Sequence, residues 1–247
     1  MGFKHRLHRA LAPIIYRHGQ AVVPGRVAHV WPQRRFTRQL LRELQIDCVL
    51  DVGANRGQFG RELRAIGYQG WILSFEPSPD SFALLEQEVA SDPRWRAFNL
   101  ALGQEEGSAT LHRMRMSVFN SFRRPTSAET LVHEAGNQIV DTVQVPIRRL
   151  DQLLPELRQS FRFSRPYLKT DTQGFDLEVF AGAAGVWPEI AALQAELSIK
   201  RIYEDTPTLT EALSTYEAGG FQLIEVFPVN PGDRPLVELD CFMQRVS

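Results

Sequence analysis

The segment Cys48-Val49-Leu50-Asp51-Val52 runs directly into Gly53-Ala54-Asn55-Arg56-Gly57. An apolar run of that length, ending in a turn of small residues before a helix, fits a buried strand feeding a helix. Small residues let the backbone approach a ligand closely, and the helix start offers free N–H groups. In an open α/β sheet such a turn lies at the carboxyl ends of the strands, where ligands bind. Strands are expected over 48–52, 71–75, 95–100, 108–113, 142–147, 167–170, 193–197, 221–226 and 236–243. Helices are expected over 58–66, 80–90, 175–181 and 208–218. This alternation predicts an α/β fold with a mostly parallel sheet. The last two strands, joined through Pro228-Val229-Asn230-Pro231-Gly232, read as an antiparallel pair at the sheet edge. The long polar stretch between 108–113 and 142–147 reads as a functional loop rather than filler.

The ligand class follows from the acids around the turn. Glu76 ends the second strand, where a carboxylate accepts hydrogen bonds from both hydroxyls of a ribose. The third strand ends at Asn99-Leu100-Ala101, which can meet an adenine edge. The spacing Gly53-x-x-x-Gly57-x-x-Gly60 departs from the dinucleotide fingerprint, and Asp51 stands just before it. A carboxylate there suits the sulfonium and ammonium of S-adenosylmethionine (SAM) and repels a pyrophosphate. Asp51, Gly53, Ala54, Asn55, Gly57, Glu76, Asn99 and Ala101 are the expected cofactor contacts. An NAD-dependent oxidoreductase and a non-catalytic SAM-binding module are the rival readings. Gly57-Gln58 is not followed by Lys-Ser/Thr, so there is no P-loop. Cys48 and Cys241 are isolated, which argues against zinc and suits buried thiols.

Three blocks resemble a known family. Asp51-Val52-Gly53-Ala54-Asn55-Arg56-Gly57-Gln58-Phe59, Phe75-Glu76-Pro77 and Asn99-Leu100-Ala101-Leu102-Gly103 are similar to the FkbM family of SAM-dependent O-methyltransferases. Leu168-Lys169-Thr170-Asp171-Thr172-Gln173-Gly174, with Glu178-Val179 and Gly182-Ala183, resembles its second signature, and Glu196-Leu197-Ser198 and Leu239-Asp240-Cys241-Phe242 resemble its later strands. The resemblance implies the Rossmann-like class I methyltransferase fold, seven-stranded and mostly parallel with a final antiparallel strand. It adds Phe59, Pro77 and Asp171 to the cofactor contacts. It also implies O-methylation, often of a sugar hydroxyl on a glycolipid, polysaccharide or secondary metabolite. Phe119-Asn120-Ser121-Phe122 departs from the consecutive serines of relatives.

Methyl transfer to a hydroxyl needs alignment and removal of a proton. Asp171 is the leading candidate as base, metal ligand or cofactor contact, with a helix cap as the alternative. Glu196 is the second, with an ion pair to Lys169 or Lys200 as its alternative. Histidine side chains ordinarily titrate near neutrality, so His112 or His133 could be a base; a surface or packing role is the plainer reading. Asp171 and Glu196 are compatible with Mg²⁺ but do not require it.

Composition bounds the rest. The 247 residues are 43% hydrophobic and 23% charged, ordinary for one globular α/β domain with an extension. Residues 1–42 carry nine Lys or Arg and no acid, leaving 19 basic against 29 acidic residues in 43–247. The chain divides on that reading into a basic helical arm (1–42) and a methyltransferase domain (43–247). Phe3, Leu7, Leu11, Ile14 and Ile15 recur at helical spacing, so the arm packs on the body or lies on a membrane surface. The acidic body without an aromatic–basic platform argues against nucleic acid as partner, leaving a small-molecule or glycan acceptor; an oligomer stays open. No secretory signal, myristoylation motif or membrane-spanning run is present, so the expected location is cytoplasmic, at most peripheral at the inner membrane face.

Overall fold

The computed structural model describes residues 30–126, 136–232 and 235–246. Helix α1 (Trp31–Glu43) leads into β1 (Cys48–Val52), α2 (Gln58–Ala65), β2 (Trp71–Phe75), α3 (Pro79–Val89) and β3 (Trp95–Phe98). Then follow β4 (Ala101–Leu102), β5 (Gly107–Met114), β6 (Ile139–Arg148), α4 (Leu150–Phe161), β7 (Pro166–Thr170), α5 (Asp176–Ala181), β8 (Ala192–Ser198), α6 (Leu209–Ala218), β9 (Phe221–Pro228) and β10 (Glu238–Arg245). A seven-stranded sheet runs β3-β2-β1-β7-β8-β10-β9. The first five strands are parallel, and β10 is antiparallel to both neighbours. This is the expected class I sheet. The order turns back between β1 and β7, which opens a crevice at their carboxyl ends.

Two helical layers cover the sheet. On one face Leu63, Leu85, Leu40 and Leu41 from α1–α3 meet Val49, Ile72, Tyr167 and Phe242. On the other, Leu150, Leu154, Leu157, Val179 and Tyr216 from α4–α6 meet Leu50, Leu73, Leu168 and Leu193. Side chains alternate across a strand, so neighbouring residues of β1 serve opposite layers. Thr208 caps α6 through a reciprocal capping box with Glu211.

Three features differ from expectation. The expected boundary between residues 42 and 43 falls inside α1. Phe36 packs edge-on to Phe242 at 5.1 Å, so α1 is built into the body; the spacing noted at Phe3–Ile15 lies outside the described residues. The third strand ends at Phe98, and Ala101–Leu102 joins β5 and β6 in a separate sheet ordered β4-β6-β5. Helix α4 was not anticipated; Pro155 stands inside it. Cys48 and Cys241 are free and buried. Among the described residues no helix is long and apolar enough to cross a membrane.

Candidate active site

A cavity of about 310 Å³ opens at the carboxyl ends of β1, β2, β7 and β8. Gly53, Ala54, Asn55, Phe59, Glu76, Pro77 and Ala101 line it, as do Asp171 and Glu196. These are expected site residues that the fold brings together. Residues not anticipated also reach the wall: Gln33 and Arg34 from α1, Asn120 and Phe122 from the long loop, Gln173, Gln194 and Asp240.

The turn is shaped by close approach. Gly53 has φ +77°, and a Cβ there would stand 1.9 Å from the carbonyl oxygen of Asp171. Only glycine meets both demands. The N–H groups of Gly53 and Ala54 both donate to the Phe75 carbonyl, at 3.0 and 3.1 Å, which ties the turn to β2. Asn55 N–H donates to Oε2 of Glu76 at 2.8 Å, and Ser78 N–H to Oε1 at 2.8 Å. Glu76 is buried, and burial pushes its carboxyl up to about 7 against the pull of these two bonds. Its position and remaining lone pairs suit the two hydroxyls of a ribose.

Three expected contacts stand off the cavity wall. Gly57, at φ +78°, starts α2 and packs on Leu85 and Trp95; it shapes the turn. Asn99 spends its amide on the carbonyls of Glu76 and Pro77, at 2.9 and 3.1 Å. It braces the strand end rather than facing an adenine. Asp51 is fully buried, because the parity of β1 turns it under α2. In register with it lie Ser74 on β2 and Lys169 on β7. Trp95 Nε1 donates to Ser74 Oγ at 2.9 Å, and Ser74 Oγ donates to Asp51 at 3.0 Å. Lys169 Nζ sits 3.3 Å from Asp51. The Asp51 charge is thus met by Lys169 and not directly by a ligand.

Lys169 joins this interior network to the cavity. Its Nζ lies 3.2 Å from Asp171 Oδ2 and 5.4 Å from the Phe59 ring centre. Burial opposes its charge, yet Asp171 and Asp51 together hold it above the ordinary lysine range. Gln173 then bridges the two catalytic candidates: its Nε2 donates to Asp171 Oδ1 at 3.2 Å and to Glu196 Oε1 at 3.0 Å. Its Oε1 accepts from the Tyr203 hydroxyl at 2.8 Å. Gln173 and Asn55 both have positive φ without being glycine, strain of the kind that gathers at functional sites. Burial, and next the nearby Asp171 charge, push the Glu196 carboxyl well above the ordinary glutamate range. Glu196 forms no ion pair with Lys169 or Lys200 among the described residues.

The long loop folds back over this edge. Ser121 Oγ donates to the Gln173 carbonyl at 2.7 Å, and Asn120 Oδ1 accepts from Met114 N–H at 2.8 Å. The segment Phe119–Phe122 is therefore part of the cavity mouth. His112 bonds to Ser121 through its backbone and is absent from the cavity wall. His133 lies outside the described residues. Among the described residues no group of three or more His, Cys, Asp or Glu is arranged to hold a metal.

The wall carries five acids, Glu62, Glu76, Asp171, Glu196 and Asp240, against two cations, Lys169 and Arg34, with burial making Glu76, Glu196 and Asp240 harder to ionise. That excess of acid suits a ligand with a sulfonium and an ammonium. The buried Nε of Arg34 has no hydrogen-bond partner.

Comparison with known proteins follows the same line. The family model described as "Methyltransferase FkbM domain" matches residues 51–223. The chain is 24% identical over 190 residues to the 2-O-methyltransferase NoeI of Sinorhizobium fredii, covering 73% of this chain and 74% of that protein. Among solved structures, magnesium protoporphyrin IX methyltransferase (ChlM) from Synechocystis PCC 6803 with bound SAM superposes with TM-score 0.47 and 9% identity, covering 97% of each chain. The 1,6-didemethyltoxoflavin-N1-methyltransferase of Burkholderia thailandensis gives TM-score 0.43 and 14% identity, covering 99% of this chain and 90% of that one.

Proposed function

The chain belongs to the FkbM methyltransferase family and is a SAM-dependent methyltransferase, and on that premise we propose that it methylates a hydroxyl oxygen of a sugar. The relative named as a 2-O-methyltransferase supports oxygen as the acceptor atom. The observation that carries the reading is the Lys169–Asp171–Gln173–Glu196 arrangement at the cavity wall. Polar Ser117 and Asn120 beside the Phe122 ring at the mouth suit a sugar, which offers hydroxyls on its rim and an apolar face.

When bound, SAM supplies an electrophilic methyl carbon on a sulfonium. Asp171 takes the proton of the acceptor hydroxyl as the oxygen–carbon bond forms and the carbon–sulfur bond breaks. Lys169 holds the Asp171 carboxylate in place from below, and Gln173 fixes its other oxygen. Glu196 accepts a hydrogen bond from Gln173 and so positions it. Much of the rate comes from this alignment.

The test is a screen of nucleotide sugars, glycolipids and glycosylated small molecules, read by release of S-adenosylhomocysteine. A sugar acceptor should support turnover. Asp171→Asn should then lower kcat by about 10²–10⁴, the usual worth of a general base, with cofactor affinity changed only a few-fold. Full activity of Asp171→Asn removes Asp171 as the base. Methyl transfer only to nitrogen acceptors removes the oxygen reading.

A further inference from the structure

We propose that Arg34, on helix α1, recognises the α-carboxylate of the cofactor's amino-acid end, so that α1 is part of the catalytic domain's binding site. The proposal rests on the reading of the cavity as the SAM site. Charge makes the first argument. The amino-acid end of SAM carries one carboxylate, and the cavity offers it two cations, Lys169 and Arg34. Lys169 is already held between Asp51 and Asp171, with only 6% of its side chain exposed. Arg34 keeps donors free. One terminal nitrogen meets Glu62 at 2.7 Å, while its buried Nε has no partner. A guanidinium uses Nε and a terminal nitrogen together to grip a carboxylate in two parallel bonds, and a buried donor left without a partner is costly.

Placement makes the second argument. Glu76 marks the ribose end of the cavity. Arg34 instead pairs with Glu62 of α2, the helix that leaves the glycine turn, whereas Glu76 is bonded to Asn55 in the turn itself. Helix α1 is fixed there by Phe36, Leu40 and Leu41 in the core, and by Gln33 Nε2 donating to Asp240 at 2.8 Å. Arg34 thus reaches the cavity from a rigid element and not from a loose arm.

The experiment compares two ligands by calorimetric titration of the full chain. S-adenosylhomocysteine has the α-carboxylate; 5′-methylthioadenosine keeps the adenosine and the thioether but lacks the amino-acid end. Arg34→Met preserves the apolar stem, and Arg34→Lys keeps the charge without the fork; thermal melting checks that both fold. Arg34→Met should weaken S-adenosylhomocysteine at least about tenfold, the scale of a charge-assisted hydrogen bond, and leave 5′-methylthioadenosine within twofold. Arg34→Lys should fall between. Equal weakening of both ligands, or of neither, overturns the role of Arg34. A wild-type protein that binds neither ligand overturns the cofactor site itself, and the proposal with it.

Discussion

At the residue scale, ligand recognition depends on which carboxyl groups face the cavity and how readily each ionises. Glu76 was legible in the sequence because a strand end is a position that local pattern reveals. Asp51 was legible as an acid but not in its direction. Which face of β1 it takes depends on the layer above, and its partner Lys169 lies more than a hundred residues away in sequence. Arg34 was hidden for a different reason: it sits in a run of arginines that reads only as part of a basic arm, and the docking of Phe36, Leu40 and Leu41 is what brings it to the cavity. Glu76 gives a pH prediction. Its folded carboxyl is raised to about 7 from 4.5. The free protein therefore gains most from Glu76 below about pH 4.5 and loses that contribution as pH rises through 7. Cofactor binding has the opposite slope, since the ionised carboxylate is the better acceptor for ribose hydroxyls. S-adenosylhomocysteine affinity should fall several-fold between pH 8 and pH 6, and Glu76→Gln should flatten that part of the profile. Titration calorimetry across this range checks it; an unchanged slope in the variant assigns the dependence to another group.

At the element scale, β1, β2, α2 and β7 emerged close to their expected bounds because each is an apolar run or amphipathic turn with clear punctuation. Helix α4 did not, because Pro155 in its interior reads as a helix break. The β4-β6-β5 sheet was legible in part: the strands expected over 108–113 and 142–147 are β5 and β6, whereas β4 was read as the end of the third strand. The edge strand Ala101–Leu102 is only two residues long, too short for a pattern to announce it. The glycine turn is the element whose geometry is most demanding. Gly53→Ala places a methyl 1.9 Å from the Asp171 carbonyl at φ +77°, whereas Gly67→Ala at φ +90° meets nothing within 4 Å. Gly67→Ala should cost about 1–2 kcal/mol, the left-handed penalty alone. Gly53→Ala should cost clearly more and abolish cofactor binding, because the turn and the β7 end must separate. Urea unfolding of the two variants measures the difference; equal costs would show that the turn tolerates the methyl and is not packed as described.

At the scale of the whole molecule, the place of the site follows from the sheet order. The reversal between β1 and β7 creates the crevice, and the residues lining it come from strand ends, the glycine turn, the loop above, α1 and α2. The sequence displayed the alternation and the two signature blocks, so the fold class and family were readable. It could not display the layer that closes the site, which is assembled from α1, the segment around Phe122 and Asp240 near the chain's end. The acidic wall then has a chemical meaning: it favours a cationic nucleoside over a dinucleotide. The most direct measurement is calorimetric titration of SAM into the wild-type chain and Glu76→Ala at pH 8. One-site binding by the wild type, weakened at least tenfold in the variant, or about 1.4 kcal/mol, is the expected result. Equal affinity in the two proteins would contradict the assignment of this cavity to the cofactor.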